Sequence, residues 1–278
     1  MQTNQIELTV FGPEYLEAAV RLSRQAGWPH RLEDWQMALA LSAGVMAIED
    51  ARVVGTVLVT PYEADCATIN MVIVDETVRG RGLGRKLMDA AFRIAGDRPL
   101  RLVATTEGRP LYEKLGFSES DAVLQHQGVV GEIAAPAETE AASTDDVEAI
   151  AKLDRLAFGA DRGGLIDYLA KVGKFAVLRR DCRVTGFAAL RAFGRGEVIG
   201  PVVAANLDDA KALVAHFIAA RPGRLLRVDT TAGTDLSPWL AAQGLAHVGG
   251  GIAMMKPLIR RSVHSIAHTF ALANQALG

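Results

Sequence analysis

Cysteine is scarce in this chain. Cys66 and Cys182 are the only two in 278 residues, far apart and without the spacing of metal ligands, which fits a reducing compartment and argues against a metal site. An excess of either charge is missing too. Thirty Lys and Arg stand against 32 Asp and Glu, for a net charge of −2, so nothing in the balance points to nucleic acid or an anionic membrane surface. No run of about 18 apolar residues occurs, and the opening MQTNQIEL has neither a basic region nor an apolar stretch behind it. These absences lead us to expect a soluble, cytoplasmic protein with no metal, no nucleic-acid partner and no membrane partner. What the chain does have is 50% hydrophobic residues and length enough for two cores.

The most informative stretch is INMVIVDETVRGRGLGRKLMDAAF, Ile69 to Phe92. Ile69–Val74 is apolar and β-branched, as a strand covered on both faces requires. Arg79-Gly80-Arg81-Gly82-Leu83-Gly84 can turn sharply and lie close to a ligand. The following segment places Leu83, Leu87, Met88, Ala91 and Ile94 on one side of a helix. Glycines and arginines at a helix start make an anion site, because free N–H groups and the positive dipole end converge there. A phosphate group is the natural ligand, and a tight turn with surface arginines is the plain structural alternative. A P-loop is excluded because Arg85-Lys86 follows Gly84, where Lys-Ser/Thr is required. A dinucleotide loop fares no better, since its third glycine is replaced by other residues and no acidic partner follows.

A second element narrows the choice. After a strand-like Leu100–Thr105 comes EGRPLYEKLGF, a helix carrying Leu111, Tyr112 and Leu115, stopped by Gly116 and followed by Phe117. Together, R-x-x-G-x-G (Arg79, Gly82, Gly84) and Y-x-x-x-G-F resemble the GCN5-related N-acetyltransferases in order and spacing; the two motifs span about 50 residues, with weaker likeness from Ile6 to His126. The resemblance implies acetyl-coenzyme A as cosubstrate, its pyrophosphate held by the backbone of Arg79, Gly80, Arg81, Gly82, Leu83, Gly84 and Arg85. It implies pantetheine contacts near Val72 and Val74, with a backbone N–H there for the oxyanion, and Tyr112 as general acid toward the leaving sulfur. It also puts Trp28 and His30, between the first two helices, beside the acceptor.

In chain order, Ile6–Val10 reads as a strand, Pro13–Ala26 and Leu32–Ala43 as helices, and Val45–Ile48 with Val53–Thr60 as a hairpin. Val129–Ile133 is expected to close the first sheet, and AAPAETEAA (Ala134–Ala142) to be a linker. Helix-capping residues Ser143-Thr144-Asp145-Asp146 begin a new unit. The second half echoes the first. With a shift of 128, Pro110, Leu111, Gly116 and Phe117 fall on Pro238, Trp239, Gly244 and Leu245, Val74 falls on Val202, and the hairpin recurs with a slightly larger shift. A duplicated domain accounts for this. The fold class that follows is α/β, more narrowly α+β: two tandem domains, 1–142 and 143–278, each a mixed, mostly antiparallel twisted sheet flanked by helices. Under the same shift Arg79, Gly82, Gly84 and Tyr112 become Leu207, Ala210, Ala212 and Leu240, and the second loop gains Asp208 and Asp209, which repel a pyrophosphate. The second domain is therefore expected not to bind coenzyme A. The last segment, Ile259–Gly278, reads as a helix through Val263, Ile266, Phe270 and Leu277.

The expected activity is transfer of an acetyl group from acetyl-coenzyme A to the amine of a small molecule or an exposed amino group. Glu63, Asp65, Glu107, His30 and His126 are all open as a general base. A protein that senses coenzyme A without turnover is the alternative, and the retained Tyr112 favours the enzyme. The second half has two roles open to it, a wall of the acceptor pocket or the interface of a homodimer.

Overall fold

The computed structural model describes residues 6–259 and 266–278. In the first half, strand β1 (Glu7–Val10) leads through a 3-10 turn at Pro13–Tyr15 into helices α1 (Leu16–Gln25) and α2 (Leu32–Ala40). Strands β2 (Ala43–Glu49), β3 (Arg52–Tyr62) and β4 (Cys66–Val74) follow, then α3 (Leu83–Ala95), β5 (Leu100–Ala104), α4 (Arg109–Lys114) and β6 (Ser118–Val129). The second half repeats the series: β7 (Thr139–Ala141), α5 (Val147–Phe158), α6 (Gly163–Val172), β8 (Lys174–Arg180), β9 (Arg183–Phe193), β10 (Gly196–Ala204), α7 (Leu207–Ala219), β11 (Leu225–Thr231), α8 (Ser237–Ala242) and β12 (Ala246–Lys256). A last strand, β13 (His268–Ala271), has no counterpart among the described residues of the first half.

The duplication is visible in the backbone. Both hairpins pair a seven-residue with an eleven-residue strand. Both turn through two residues at positive φ, Asp50-Ala51 and Asp181-Cys182, the backbone that matches the twist of a two-residue hairpin. Gly55 lies against the Ile73 carbonyl as Gly186 lies against that of Val203. The strands therefore correspond as Val74 to Ala204, not to Val202 as a uniform shift of 128 suggests.

The thirteen strands of the described residues form one sheet, in the order β1-β2-β3-β4-β5-β12-β6-β11-β13-β10-β9-β8-β7. Its centre is an exchange. β12 pairs antiparallel with β5 of the first half, while β6 pairs with β11 of the second, and the two pair with each other from Ser118 to Gln127. Met254 of β12 accordingly packs in the core under α3 and α4, and Val130, just past β6, in the core under α7 and α8. On the other face α1 and α2 cover β2 to β4, and α5 and α6 cover β8 to β10. The arrangement is three layers, helix on sheet on helix.

Three expectations need correction here. The strand closing the first half's series is Ser118–Val129, and Val130–Ile133 lies beyond it. The linker composition of Ala134–Ala142 conceals β7, which pairs with β8 at the sheet's edge. The final segment forms no helix among the described residues, where His268–Ala271 is a strand between β10 and β11; Val263 lies outside them. An apolar spacing of three to four residues misled, because the gap between two distant strands dictates β pairing there. No helix among the described residues is long and apolar enough to cross a membrane.

Candidate active site

β4 and β5 are parallel neighbours at only two places, Ala67 with Leu100 and Thr68 with Arg101. Beyond them the strands diverge, and among the described residues no strand pairs with the edge of β4 that faces β5 from Asn70 to Val74. A bulge sits in this free stretch. Leu58 pairs with Asn70 and Thr56 with Ile73, so Met71 and Val72 together oppose Val57. Met71 takes φ of +50°, a conformation costing a non-glycine residue about 1–2 kcal/mol. The Thr56 hydroxyl helps to hold it by donating to the Met71 carbonyl at 2.8 Å. Such a bulge bends its strand and interrupts the ladder locally. An apolar run gives no hint of it, so the sequence reading missed it.

The glycine-rich loop stands at the end of β4. Gly80 and Gly82 both have φ of +77°, and a Cβ on either would meet open space, so backbone conformation is what requires glycine there. Gly84 differs: a Cβ would come within 3.3 Å of Leu111 Cδ2 and 4.0 Å of Val74 Cγ2. Strand, loop and the helix bearing Tyr112 thus converge at Gly84. Gly82 is the residue before α3, and no side chain caps the helix, leaving first-turn N–H groups available to an anion. Leu83 is buried. The loop arginines are exposed and lightly engaged: Arg79 Nε donates to the Val74 carbonyl at 3.4 Å, Arg81 pairs with Glu49 at 2.8 Å and Arg85 with Asp89 at 3.0 Å. The Arg85–Asp89 pair is exposed on both sides, and a pair of that kind contributes little to stability. Val72 and Val74 are half-buried against the core under α3.

Tyr112 is 7% exposed, its ring edge-on to Phe117 at 6.1 Å. Burial pushes its hydroxyl pKa up to about 12, so the group is a neutral donor across the physiological range. Its hydroxyl has no hydrogen-bond partner among the described residues.

Trp28 and His30 lie where the first half meets the second. His30 stands edge-on to Trp28 at 5.7 Å, Trp35 at 6.4 Å and Phe193 of β9 at 5.6 Å. Burial lowers its pKa to about 4; Asp34 opposes the shift, while Arg227 and Arg191 add to it. Asp34 accepts from the Arg31 backbone at 2.9 Å, from the Arg31 guanidinium at 2.8 Å and from Gly194 N–H at 2.9 Å. Burial works to raise that carboxyl, yet these bonds hold it below the ordinary carboxylate range. The segment between α1 and α2 is thereby fastened to the β9–β10 turn.

The five residues left open as a base are separated by their positions. Glu63 and Asp65 sit at the start of β4, roughly 25 Å of strand from its far end. His126 is buried, with Nδ1 donating to the Leu245 carbonyl at 2.7 Å and Nε2 bonded to Ser237 Oγ at 2.9 Å, so both nitrogens are engaged. His30 is held in the cluster just described. Glu107 alone combines solvent exposure with a place at the end of β5. Among the described residues no group of three or more His, Cys, Asp or Glu could hold a metal ion.

The second half has lost these features by a different route from substitution. Residues 75–82 separate β4 from α3, but only Ala205 and Asn206 separate β10 from α7. Leu207, Ala210 and Ala212 lie inside α7 and replace no loop residue. Asn206 caps the helix by accepting from Asp209 N–H at 2.9 Å, and Asp209 is paired with Arg180 at 2.6 Å. The irregularity in β10 falls at Gly200-Pro201, where proline has no N–H to offer. Leu240 stands where Tyr112 stands, each accepting from the N–H five residues on. Between β10 and β11, finally, lies β13: Val202, Val203 and Ala204 pair with Ala271, Thr269 and His268, and Thr230 pairs with Ala271.

Comparison with known proteins finds the same family in both halves. One acetyltransferase (GNAT) domain family model matches residues 42–119 and another matches residues 150–265. The chain belongs to the GNAT acetyltransferases, as a tandem-domain member. It is an N-acetyltransferase, and the family's chemistry is acyl transfer from an acyl-coenzyme A. An uncharacterized N-acetyltransferase of Bacillus subtilis (strain 168), YitH, is 26% identical over 290 residues, covering 98% of each chain. A putative acetyltransferase from Pyrococcus horikoshii shares the fold with a TM-score of 0.81 at 17% identity, over 100% of this chain and 99% of that one. A tandem GNAT protein from the clavulanic acid biosynthesis pathway gives a TM-score of 0.63 at 16% identity, over 90% and 98%.

Proposed function

We propose that this GNAT enzyme carries acetyl-coenzyme A in its first half alone, and transfers the acetyl group directly to the amine of a small molecule or exposed amino group. The observation that supports this reading is the opening between β4 and β5, with an uncapped glycine-rich helix start at its mouth. In it, N–H groups from Arg79 to Arg85 take the pyrophosphate, and Arg79 and Arg85 exchange their present partners for phosphate oxygens. Pantetheine runs along the free edge of β4 at Val72 and Val74. The bulge at Met71-Val72 supplies a backbone N–H to the oxyanion.

The amine attacks as the neutral base. Its nitrogen forms a bond to the thioester carbon, the carbonyl oxygen gains the charge, and collapse of that intermediate breaks the carbon–sulfur bond. The ammonium proton leaves to water or to Glu107, and the sulfur accepts a hydrogen bond from Tyr112. With a pKa pushed up to about 12, against about 8.5 for an ordinary thiol, the phenol stabilises the thiolate mainly as a donor. In this reading 1–142 is the catalytic copy and 143–278 a copy that keeps the fold without the cofactor, with Trp28 and His30 near the acceptor.

The test is thiol release from acetyl-coenzyme A with a panel of amines: tryptamine, spermidine, glucosamine, lysine and a peptide with a free amino end. Turnover with at least one is expected. Tyr112→Phe should lower kcat about 10²–10⁴-fold with cofactor affinity little changed. Tight cofactor binding without turnover across the panel would favour a sensor instead.

A further inference from the structure

β13 does more than fill the second half's opening, because the chain continues from it back toward the first. Leu272 N–H donates to the Asp229 carbonyl at 2.8 Å. Asn274, itself buried, closes the following turn by accepting from Ala276 and Leu277 N–H at 2.9 and 2.8 Å. The Tyr62 hydroxyl then donates to the Leu277 carbonyl at 2.5 Å. The turn is fastened at both ends, and Gln275 is held between them.

We propose that Gln275 is a positioning residue for the acceptor amine, so that the second half completes the first half's site; this rests on the reading given above. Its Nε2 lies 3.2 Å from Asp229 Oδ1 and 3.3 Å from Gln125 Oε1. Asp229 is fully buried and already accepts from Arg227 Nε at 3.0 Å. An ionised carboxylate only accepts, which fixes the amide with its NH₂ toward Asp229 and its oxygen on the other side. That oxygen lies 3.5 Å from where a Cβ on Gly251 would stand. The same point is 2.6 Å from Val103 Cγ1 and 2.8 Å from the Ala104 carbonyl, at the end of β5 that borders the opening. Because β12 carries glycine there, it places no side chain of its own between the oxygen and Val103 and Ala104 of β5.

An amide oxygen accepts an N–H bond but takes no proton at neutral pH. An amine that donates one N–H to it keeps its lone pair free to face the thioester. The same contact strengthens as the nitrogen gains positive charge, since a bond to a charged group is the stronger one. Gln275 thus orients the nucleophile without acting as a base. Its loss should move the amine's kinetic constants and leave the pH profile in place.

The experiment compares full-length wild type with Gln275→Ala, using whichever amine of the panel is turned over. KM for the amine is expected to rise about three- to tenfold, the worth of one neutral hydrogen bond. The KM for acetyl-coenzyme A and the pH profile should stay within twofold and unmoved. A melting curve and Gln275→Asn, which keeps both the NH₂ donor and the oxygen acceptor on a shorter stem, separate a lost contact from a loosened turn: partial recovery of the amine KM is expected of the Asn variant. An unchanged amine KM, or a parallel rise in both KM values, overturns the proposal while wild-type turnover stands. Absence of turnover in the wild type overturns the functional reading, and this inference with it.

Discussion

At pH 7 the imidazole of His30 is neutral, since burial has lowered its pKa to about 4. In the unfolded chain that value returns to about 6.5. Between pH 4 and 6.5 the unfolded state therefore binds a proton that the folded state refuses, and stability rises with pH across that window. The full effect below pH 4 is about 3 kcal/mol. Asp34 faces the ring and opposes the shift, while Arg191 and Arg227 reinforce it. Denaturant unfolding of His30→Phe, which keeps an aromatic ring between Trp28 and Phe193, should show a shallower fall in stability from pH 6.5 to 4 than the wild type. An identical fall in both proteins would place the proton elsewhere. Arg191 belongs to the same junction. It is buried, with Nε and Nη2 unbonded among the described residues, and burial lowers its pKa to about 10.

Among the elements, those of the first half were largely legible, because each announces itself locally. The hairpin has its polar turn, β4 its apolar run, α3 its one-sided stripe and Tyr112's helix its glycine stop. β6 was not, since Ser-Glu-Ser-Asp and Gln-His-Gln read as surface, and the partners that bury it come from the other half. A fixed shift of 128 also hid the shortened link at Ala205-Asn206, because a deletion changes the shift from one element to the next. Of the site, the loop and Tyr112 stood out in sequence, whereas the bulge at Met71 and the tail's Gln275 depend on pairings across the sheet. With the second opening filled and its loop missing, calorimetric titration with acetyl-coenzyme A should give one site per chain; two sites would refute the reading. Gly82→Ala should weaken that site, because alanine at φ of +77° strains the loop by about 1–2 kcal/mol.

For the whole molecule, the exchange of β6 and β12 means that neither half is a complete folding unit. The core under α3 contains Met254, and β5 has β12 as its neighbour on one side. Fragments 1–142 and 143–278 produced separately should therefore be poorly folded by circular dichroism, and co-expression should recover the native protein. The intact chain should unfold in a single transition despite carrying two copies of one fold. Independent melting of the halves would contradict this. β13 bears on the same question from the side of concentration. A segment joined to its slot through the chain meets it at a concentration that does not fall when the protein is diluted. A free cofactor arm competing for the gap between β10 and β11 faces an occupant that dilution cannot remove.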